Sequence, residues 1–178
     1  LSAASPLSIQ AHPTKDRAAR QFATDHKSYS DANHKPEIII AVTPFKALCG
    51  FRPIAETEAD LRKLAEASIH LAGLWSAFQA AGYQSAMNWI YESKDGTVGQ
   101  LVAHSTVLDR KRSRLLEALY EQYPEDKGIL VALLMNQVTL EPGEALFLPA
   151  GNIHAYLEGL GVEAMAASDN VLRGGLTP

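Results

Sequence analysis

Apolar and polar positions are patterned most clearly near the end of the chain, around two glycine-containing turns. Pro142-Gly143 predicts one turn, the apolar run 145–148 predicts a short strand, and Pro149-Ala150-Gly151 predicts a second turn. The second turn leads into the segment that carries His154. Because proline and glycine constrain the backbone at both turns, we expect His154 to have a defined orientation. On a strand of an antiparallel barrel, an inward histidine faces a pocket.

A second alternating pattern lies near the start of the chain. Apolar and polar residues alternate over residues 7–12, which predicts a strand with Ser8, Gln10 and His12 on one face. Such polar residues are most often exposed on an edge strand, so this pattern alone does not indicate a binding site. Residues 16–25 predict a short exposed helix.

A strongly apolar segment follows a single acidic residue in the first third of the chain. The consecutive branched residues of Ile38–Val42 predict a strand buried on both faces, with Glu37 at its start. A carboxylate in such a place costs free energy unless it is paired or binds a metal. A salt bridge from Glu37 to Lys35 or Arg52 is therefore one interpretation, and metal binding is the other.

The middle of the chain has helical periodicity. After a predicted strand at residues 47–52, apolar residues recur at helical spacing from Thr57, a predicted N-cap, to a stop at Gly82. Thr97–Tyr123 has a second helical pattern, and the apolar run Ile129–Leu140 predicts a return to strand structure.

Together these patterns predict a mainly β fold that a helical segment interrupts. Leu157–Glu163 completes the β pattern with a predicted hairpin that has glycine at its turn. We interpret residues 54–126 as a helical insertion domain between the two parts of one β-barrel, residues 1–53 and residues 127–178.

Composition and charge narrow the functional classes. The chain has 178 residues, of which 47% are hydrophobic, a net charge of -4 and one cysteine, Cys49. The lack of a long basic run argues against a nucleic-acid partner. No apolar run approaches the roughly 20 residues that span a membrane, which argues against a membrane partner. One cysteine provides no disulfide framework, which favours a reducing, cytoplasmic location. The first residue is Leu1 and not Met, so we expect a piece of a longer polypeptide.

Two features of the helical segment receive ordinary interpretations. Residues 110–114 contain four basic residues on one helix, which we interpret as a solvated face and not as a phosphate-binding patch. His70 and His104 are interpreted as helix histidines without a functional role.

Four residues of the β segments form a candidate metal site when they are taken together. They offer two imidazoles, one carboxylate and one amide oxygen, and they are His12, His154, Glu37 and Gln10. This donor set suits a borderline divalent metal, most naturally one Zn²⁺ per chain, with a position left open for water or substrate.

Arg173 is a second candidate for the chemistry of the site. It precedes two glycines in a stretch of small residues, which predicts a guanidinium group in a confined place. Its side chain could form an ion pair with Asp169 or Glu163, or it could act as an anion clamp or electrostatic catalyst.

Five blocks of the sequence, in family order, resemble the signature blocks of type I mannose-6-phosphate isomerases and extend over nearly the whole chain. The blocks are Ser8–Pro13, Asn33–Glu37, Ala47–Pro53, Gly151–Tyr156 and Ser168–Gly175. The spacing of Gly143, Pro149, Gly151 and His154 also resembles the second conserved motif of cupins. The resemblance implies a cupin jelly-roll (double-stranded β-helix) barrel that is partial and interrupted by a helical domain. Family members have barrel strands before the position of Leu1 and a further cupin domain after Pro178, so open sheet edges are expected.

The same resemblance implies roles for individual residues. The implied zinc ligands are Gln10, His12, Glu37 and His154. The implied catalytic residues are Arg173, Lys35, Glu163 and Asp169. The implied substrate-binding residues are Ser8, at a position associated with the substrate phosphate, His34 and Tyr156.

The reaction implied by the resemblance is the zinc-dependent interconversion of mannose 6-phosphate and fructose 6-phosphate through a cis-enediol, which feeds GDP-mannose and glycan synthesis. The proton-transfer base stays open among four residues, because sequence gives no pKa value. These residues are Lys35, Glu163, Asp169 and His34. The implied partner is a small sugar phosphate, and the full-length protein is expected to be a monomer.

Two other functional classes stay open. One is a metal-dependent oxygenase, which typically uses two histidines and a carboxylate around iron. The other is a noncatalytic module that binds a sugar phosphate or a metal. Gln10 and Arg173 favour redox-free sugar chemistry over the oxygenase.

Overall fold

A computed structural model describes residues 1–25 and 27–177, which form eight strands and six α-helices. The strands are β1 (Ser2–Ala3), β2 (Gln10–Ala11), β3 (Glu37–Ala41), β4 (Phe45–Phe51), β5 (Met135–Leu140), β6 (Ala145–Leu148), β7 (Ile153–Met165) and β8 (Leu172–Arg173). The helices are α1 (Lys15–Phe22), α2 (Ile54–Ala67), α3 (Ala72–Glu92), α4 (Thr97–Ala103), α5 (Arg110–Gln122) and α6 (Gly128–Leu133).

The chain divides into two compact units. The β unit consists of Leu1–Gly50 and Gln137–Gly174, and the helical unit consists of Phe51–Asn136 and the residues from Gly175 onward. The helical unit thus interrupts the β unit in sequence. The division of the sequence into three segments at residues 54 and 126 stays a prediction.

Strand β7 is the centre of the β unit. It has 13 residues and pairs in antiparallel fashion with β1, β2, β3 and β4. In the part of the chain that the structure describes, the main strand order β5-β4-β7-β2-β8 has two open ends, so the sheet does not close into a barrel. An open, partial version of the predicted β fold is therefore confirmed.

The core of the β unit lies on the inner faces of these strands. Its largest buried side chains include Ile39, Phe45, Leu148 and Tyr156, and the Phe45 and Tyr156 rings pack edge to face with centroids 5.3 Å apart. Burial of such side chains contributes about 1.5–3 kcal/mol each relative to exposure. The inner face of β7 is therefore fixed by packing as well as by its four pairing partners.

The prediction of a hairpin within Leu157–Glu163 is wrong, because β7 continues through this segment. A Cβ atom on Gly159 would lie 2.7 Å from Phe45 Cδ2 and 2.8 Å from the carbonyl oxygen of Pro44. Gly161 approaches Ile39 in the same way. Both glycines therefore mark places where another strand comes close, and not a turn.

The prediction that Ile38–Val42 is buried on both faces is also wrong. Ile39 is fully buried, whereas Ile40 and Val42 are 40% and 49% exposed. Phe147, the partner of Ile38 across β3 and β6, is likewise exposed. The outward side chains of this strand form part of an exposed apolar sheet face. A succession of branched residues therefore did not require burial on both faces.

The two glycine turns near the end of the chain are confirmed. Gly143 has a φ of 92° and Gly151 a φ of 94°, in the left-handed region that glycine adopts without strain. Strand β6 lies between them, and the chain enters β7 directly after the second turn. At Gly151 the backbone N–H donates to the carbonyl oxygen of His12 at 2.7 Å, which ties this turn to the segment after β2.

Several predicted helix limits need correction. Helix α2 begins at Ile54, directly after its N-cap residue Pro53, and not at Thr57. The Thr57 hydroxyl bonds with the Tyr83 hydroxyl at 2.7 Å and does not cap the helix. Gly82 has a φ of 62° and interrupts α3, but the helix resumes and continues to Glu92. The predicted single pattern over Thr97–Tyr123 is divided into α4, a 3₁₀ turn and α5.

The predicted strand over Ile129–Leu140 is correct only in its second half. Gly128–Leu133 forms α6, in which every residue is buried, and β5 begins at Met135. A run of buried apolar residues shows no alternation between polar and apolar positions. Helix and strand therefore cannot be distinguished from the sequence there. No described helix is both long and apolar enough to cross a membrane.

The basic run at residues 110–114 is only partly a solvated face. Arg110, Lys111 and Arg114 are exposed as predicted, whereas Arg112 is buried. Arg112 Nη1 donates to the carbonyl oxygens of Leu133 and Met135. The run therefore contributes one basic side chain to the interior of the helical unit.

Asp60 is a buried carboxylate that pairs with two buried arginines of the helical unit. Its Oδ2 atom lies 2.9 Å from Arg52 Nη2 and 3.8 Å from Arg112 Nε. Burial and the neighbouring Arg52 charge lower the pKa of Arg112, whereas Asp109 and Asp60 oppose that shift. Asp60 thus offsets the repulsion between two guanidinium groups that lie away from water.

Replacement of Asp60 should destabilise the protein strongly. We expect Asp60→Ala to lower the free energy of unfolding by about 3–5 kcal/mol, because it leaves two buried cations without their carboxylate. The matched control is Glu56→Ala, since Glu56 lies 3.7 Å from Arg52 but is largely exposed. That control should cost no more than about 1 kcal/mol. Urea denaturation measures both variants, and similar losses would contradict the role given to Asp60.

Candidate metal centre

Three buried side chains of the β unit converge at one place. His12 follows β2, Glu37 is the first residue of β3, and His154 lies at the start of β7. Their exposed fractions are 3%, 4% and 4%. Gln10 of β2 pairs with His154 of β7, and β3 also pairs with β7, so the sheet itself brings these segments together.

The Glu37 carboxylate lies between the two imidazole rings. His12 Nε2 is 3.2 Å from Glu37 Oε1, and His154 Nε2 is 3.2 Å from Glu37 Oε2. One ligand atom from each of the three residues lies within 4.8 Å of the others. This separation allows a single metal ion to bind all three.

The backbone sets the tautomer of both histidines. His12 Nδ1 lies 2.7 Å from the carbonyl oxygen of Asn170, and His154 Nδ1 lies 3.2 Å from that of Asn152. A carbonyl oxygen only accepts hydrogen bonds, so each Nδ1 must donate. In a neutral imidazole, Nε2 then carries the lone pair that a metal requires.

This arrangement fits a cation. Two Nε2 lone pairs face the oxygens of an ionised carboxylate, and such groups repel each other unless a positive charge lies between them. His12 Nε2 is buried and makes no well-formed hydrogen bond with a protein group, although it lies close to Glu37. A divalent metal would satisfy that atom and neutralise the carboxylate.

Lys35 adds a positive charge at the edge of this cluster. Its Nζ atom lies 3.2 Å from Glu37 Oε1, so the predicted Lys35 salt bridge is present beside the metal-capable cluster. Burial raises the pKa of Glu37, but contacts with His12 and His154 in their protonated forms, together with Lys35, outweigh burial and hold this pKa well below its ordinary value. Arg52, the other predicted partner of Glu37, pairs with Asp60.

A cavity opens next to the cluster and is lined by most of the predicted site residues. These are Ser8, Gln10, Lys35, Glu37, His154, Tyr156 and Glu163. Gln10 Nε2 donates to Ser8 Oγ at 3.2 Å. The Tyr156 hydroxyl donates to Glu163 Oε1 at 2.7 Å, and burial together with Glu163 raises the pKa of Tyr156 well above its ordinary value. Tyr156 is therefore a neutral hydrogen-bond donor.

Arg173 lies on β8, on the other side of β2 from β7 and His154. It pairs with Gln10 across β2 and β8, and its Nη1 atom donates to Ser8 Oγ at 2.6 Å. Its described side-chain contact is thus with Ser8, and not with Asp169 or Glu163, the ion-pair partners that the sequence suggested. The guanidinium group is exposed.

Four predicted site residues do not line the described cavity, and they are His12, His34, Asp169 and Arg173. His34 and Asp169 are exposed, and the backbone N–H of Asp169 donates to Asp31 Oδ2 at 3.1 Å. Their catalytic and substrate-binding roles stay predictions. His70 is exposed in the helical unit, and His104 Nδ1 bonds to the carbonyl oxygen of Gln100, as ordinary helix histidines do.

Sequence analysis missed two asparagines that hold the histidines through their backbones. Asn170 is 1% exposed and Asn152 is partly buried. Neither lies in a periodic pattern that would have indicated this contact. Their only sequence signal was their place inside two of the blocks, at Gly151–Tyr156 and Ser168–Gly175.

Comparison with known proteins gives one consistent family. Residues 1–54 match the family model described as phosphomannose isomerase type I, catalytic domain. Mannose-6-phosphate isomerase of Homo sapiens is 40% identical over 200 residues, which covers 100% of this chain and 47% of the relative. Probable mannose-6-phosphate isomerase of Dictyostelium discoideum is 42% identical over 188 residues, covering 100% of this chain and 42% of the relative. The chain spans about half the length of the curated relatives that it matches.

Solved structures agree with these relatives. A crystal structure of a variant phosphomannose isomerase from Salmonella typhimurium matches with a TM-score of 0.86 at 36% identity, over 99% of this chain and 48% of that one. A crystal structure of mannose 6-phosphate isomerase bound with zinc and yttrium matches with a TM-score of 0.85 at 35% identity, over 100% of this chain and 49% of that one. The cupin-type fold expected from the resemblance is confirmed.

The buried Glu37 carboxylate should make the free energy of unfolding depend on pH in the acid range. Its pKa in the folded protein lies below the ordinary value of 4.5, so its contribution is present above that pH and is lost as the pH falls below it. We expect Glu37→Gln to flatten this decline in the metal-free protein, measured by urea denaturation with a chelator at several pH values.

The matched control for this prediction is Glu158→Gln. Glu158 also pairs with a lysine, Lys46, but both side chains are largely exposed. This variant should keep the pH dependence of the wild-type protein. Equal flattening in both variants would mean that Glu37 is not the responsible group.

Proposed function

We propose that this chain, which belongs to the type I phosphomannose isomerase family over the half of those proteins that it spans, carries the zinc centre of a mannose-6-phosphate isomerase. The observation that carries this proposal is the convergence of His12, Glu37 and His154, with both Nε2 atoms directed at the carboxylate. This cluster borders a cavity with further polar groups. The names of the relatives and a zinc-bound neighbour support the same function.

The donor set supports one Zn²⁺ per chain. His12, His154 and Glu37 would supply two nitrogens and a carboxylate oxygen, and Gln10, which borders the cavity beside His154, would supply an amide oxygen. When bound, Zn²⁺ would polarise the carbonyl and hydroxyl oxygens of the substrate. Lys35 would keep Glu37 ionised and oriented toward both histidines.

The protein groups around the cavity suit an aldose–ketose isomerisation through a cis-enediol. The reaction moves one proton between C2 and C1 and another between the two oxygens, so a base must lie near the carbons. Of the four candidates, Lys35 and Glu163 line the cavity, whereas His34 and Asp169 do not line it. Geometry therefore favours Lys35 or Glu163 as the base. Tyr156 would hold Glu163 in place through its hydroxyl group.

Ser8 and Arg173 would bind the charged parts of the substrate. Their direct hydrogen bond places a hydroxyl and a guanidinium group together at the edge of β2. Such a pair is suited to a phosphate or to negative charge that develops in the reaction. The product would feed GDP-mannose and glycan synthesis, in a cytoplasmic protein that is monomeric in its full-length form.

The three buried ligands also suit a second function. Two histidines and one carboxylate are the ligand set of iron-dependent oxygenases. Gln10 and the Ser8–Arg173 pair beside the cluster favour the isomerase, because an oxygenase requires neither. Bound iron together with oxygen consumption would support this second candidate.

The decisive experiment measures metal content and the formation of fructose 6-phosphate from mannose 6-phosphate. We expect stoichiometric zinc and turnover in the wild-type chain, and loss of both in His154→Ala, because one of two imidazole donors is removed. The matched control is His70→Ala, which removes an exposed histidine of the helical unit and should change neither quantity.

The possible results separate the parts of the proposal. Zinc without turnover would support the metal centre but contradict isomerase activity for this chain alone. A wild-type chain that binds no zinc would overturn the ligand set. Equal loss of zinc in His70→Ala would mean that the effect is not specific to the site.

A further inference from the structure

We propose that Asn170 is a positioning residue of the metal centre, one that fixes the His12 ring through its backbone carbonyl group and the loop that leads to Glu37 through its buried side chain. The inference rests on the proposed metal-binding function and goes beyond it. Asn170 is not a ligand in this proposal. It acts by holding two ligand-bearing segments in one relative arrangement.

The first part of this arrangement is the backbone of Asn170. Its carbonyl oxygen accepts a hydrogen bond from His12 Nδ1 at 2.7 Å, between residues 158 positions apart in the sequence. That bond places the proton on Nδ1 and leaves Nε2 toward Glu37. The position of the Asn170 backbone therefore decides how the His12 ring is turned.

The second part is the Asn170 side chain, in which both the oxygen and the nitrogen of the amide form hydrogen bonds. The backbone N–H of Ser30 donates to Oδ1 at 2.8 Å. Nδ2 donates to the carbonyl oxygens of Asp31 and Asn33, at 2.8 and 2.9 Å. A residue that is 1% exposed thus satisfies three backbone groups of one loop.

This loop leads directly to the acidic ligand. Residues 30–33 precede Lys35 and Glu37, and Glu37 begins β3. On its other side, Asn170 precedes β8, which carries Arg173. One asparagine therefore connects the segments of His12, Glu37 and Arg173, although these segments are distant in sequence.

Asp31 and Ser168 reinforce the same connection. Ser168 Oγ donates to both carboxylate oxygens of Asp31, at 3.0 and 3.1 Å. The backbone N–H of Asn170 in turn donates to Ser168 Oγ at 3.2 Å. These contacts keep the Asn170 backbone in place but do not reach the histidine.

The test is the isosteric variant Asn170→Asp. It keeps the shape of the side chain but replaces the Nδ2 donor with an oxygen, which would face the carbonyl oxygens of Asp31 and Asn33. We expect its affinity for Zn²⁺, measured in competition with a chelator, to fall about 10- to 100-fold, as is typical when a group that orients a ligand is changed.

The matched control is Asn136→Asp in the helical unit. Asn136 Nδ2 donates to the carbonyl oxygen of Phe51 at 2.8 Å, so the variant makes the same chemical change at a backbone contact. We expect this control to keep wild-type Zn²⁺ affinity even if it lowers stability. An equal loss of affinity in both variants would overturn the proposal.

A second readout does not require metal. Long-range proton–nitrogen correlation spectra of the imidazole rings report which nitrogen of His12 carries the proton. We expect the metal-free wild-type protein and Asn136→Asp to show the Nδ1–H tautomer, and Asn170→Asp to lose that preference. An unchanged tautomer with unchanged Zn²⁺ affinity would overturn the proposal.

The two readouts separate this proposal from the proposed function. A wild-type protein that binds no Zn²⁺ would contradict the metal centre, while a tautomer change in Asn170→Asp would still support the positioning role. If Asn170→Asp does not fold, Ser168→Ala weakens the same connection by removing the hydroxyl between Asp31 and the Asn170 backbone. A smaller change in the same direction supports the proposal, and wild-type values in both readouts contradict it.

Discussion

An ionised carboxylate buried between two imidazoles is the constraint on which the β unit depends. Removing the charge of Glu37 from water costs several kcal/mol unless nearby groups compensate for it. Here Lys35 supplies a positive charge, and His12 and His154 reach the same carboxylate from separate segments. The strands β2, β3 and β7 must keep their register for this contact to exist, since a shift by one residue would turn each side chain to the opposite face. Packing around β7 and the chemistry of the site therefore impose the same arrangement.

The helical unit also buries charged groups, but it compensates for their charge in a different way. Its buried charges are two guanidinium groups with Asp60 between them, so a carboxylate compensates for cations. In the β unit, a carboxylate lies among two neutral imidazoles and one ammonium group. In the first cluster the atoms left without a hydrogen bond among the described residues are N–H donors, Arg52 Nε, Arg52 Nη1 and Arg112 Nε. In the second cluster the corresponding atom is His12 Nε2, whose lone pair lies beside a carboxylate and which a cation would satisfy.

The sequence predicted the site better than it predicted the elements around it. His12, Glu37 and His154 were identified because their residue types and flanking turns limit the chemistry, and Gly143 and Gly151 limit the backbone. Errors occurred where tertiary contacts decide the local structure. Gly159 lies where Phe45 comes close to β7, and every residue of α6 is buried. Neither segment therefore has a local sequence pattern that indicates its structure. Asn170 was missed for the same reason, because its importance lies in contacts with residues far away in the sequence.

The wide sequence separation of the ligands has a consequence for the growing polypeptide. His12 and the carbonyl group that orients it are 158 residues apart, and β1 pairs with the far end of β7. Contacts between residues so far apart in the sequence close large loops, and this slows the folding step in which the contacts form. The helices between β4 and β5 are synthesised before β5 to β8 and follow one another directly along the chain. On the ribosome, the carbonyl group that orients His12 would therefore become available only after Asn170 has left the exit tunnel.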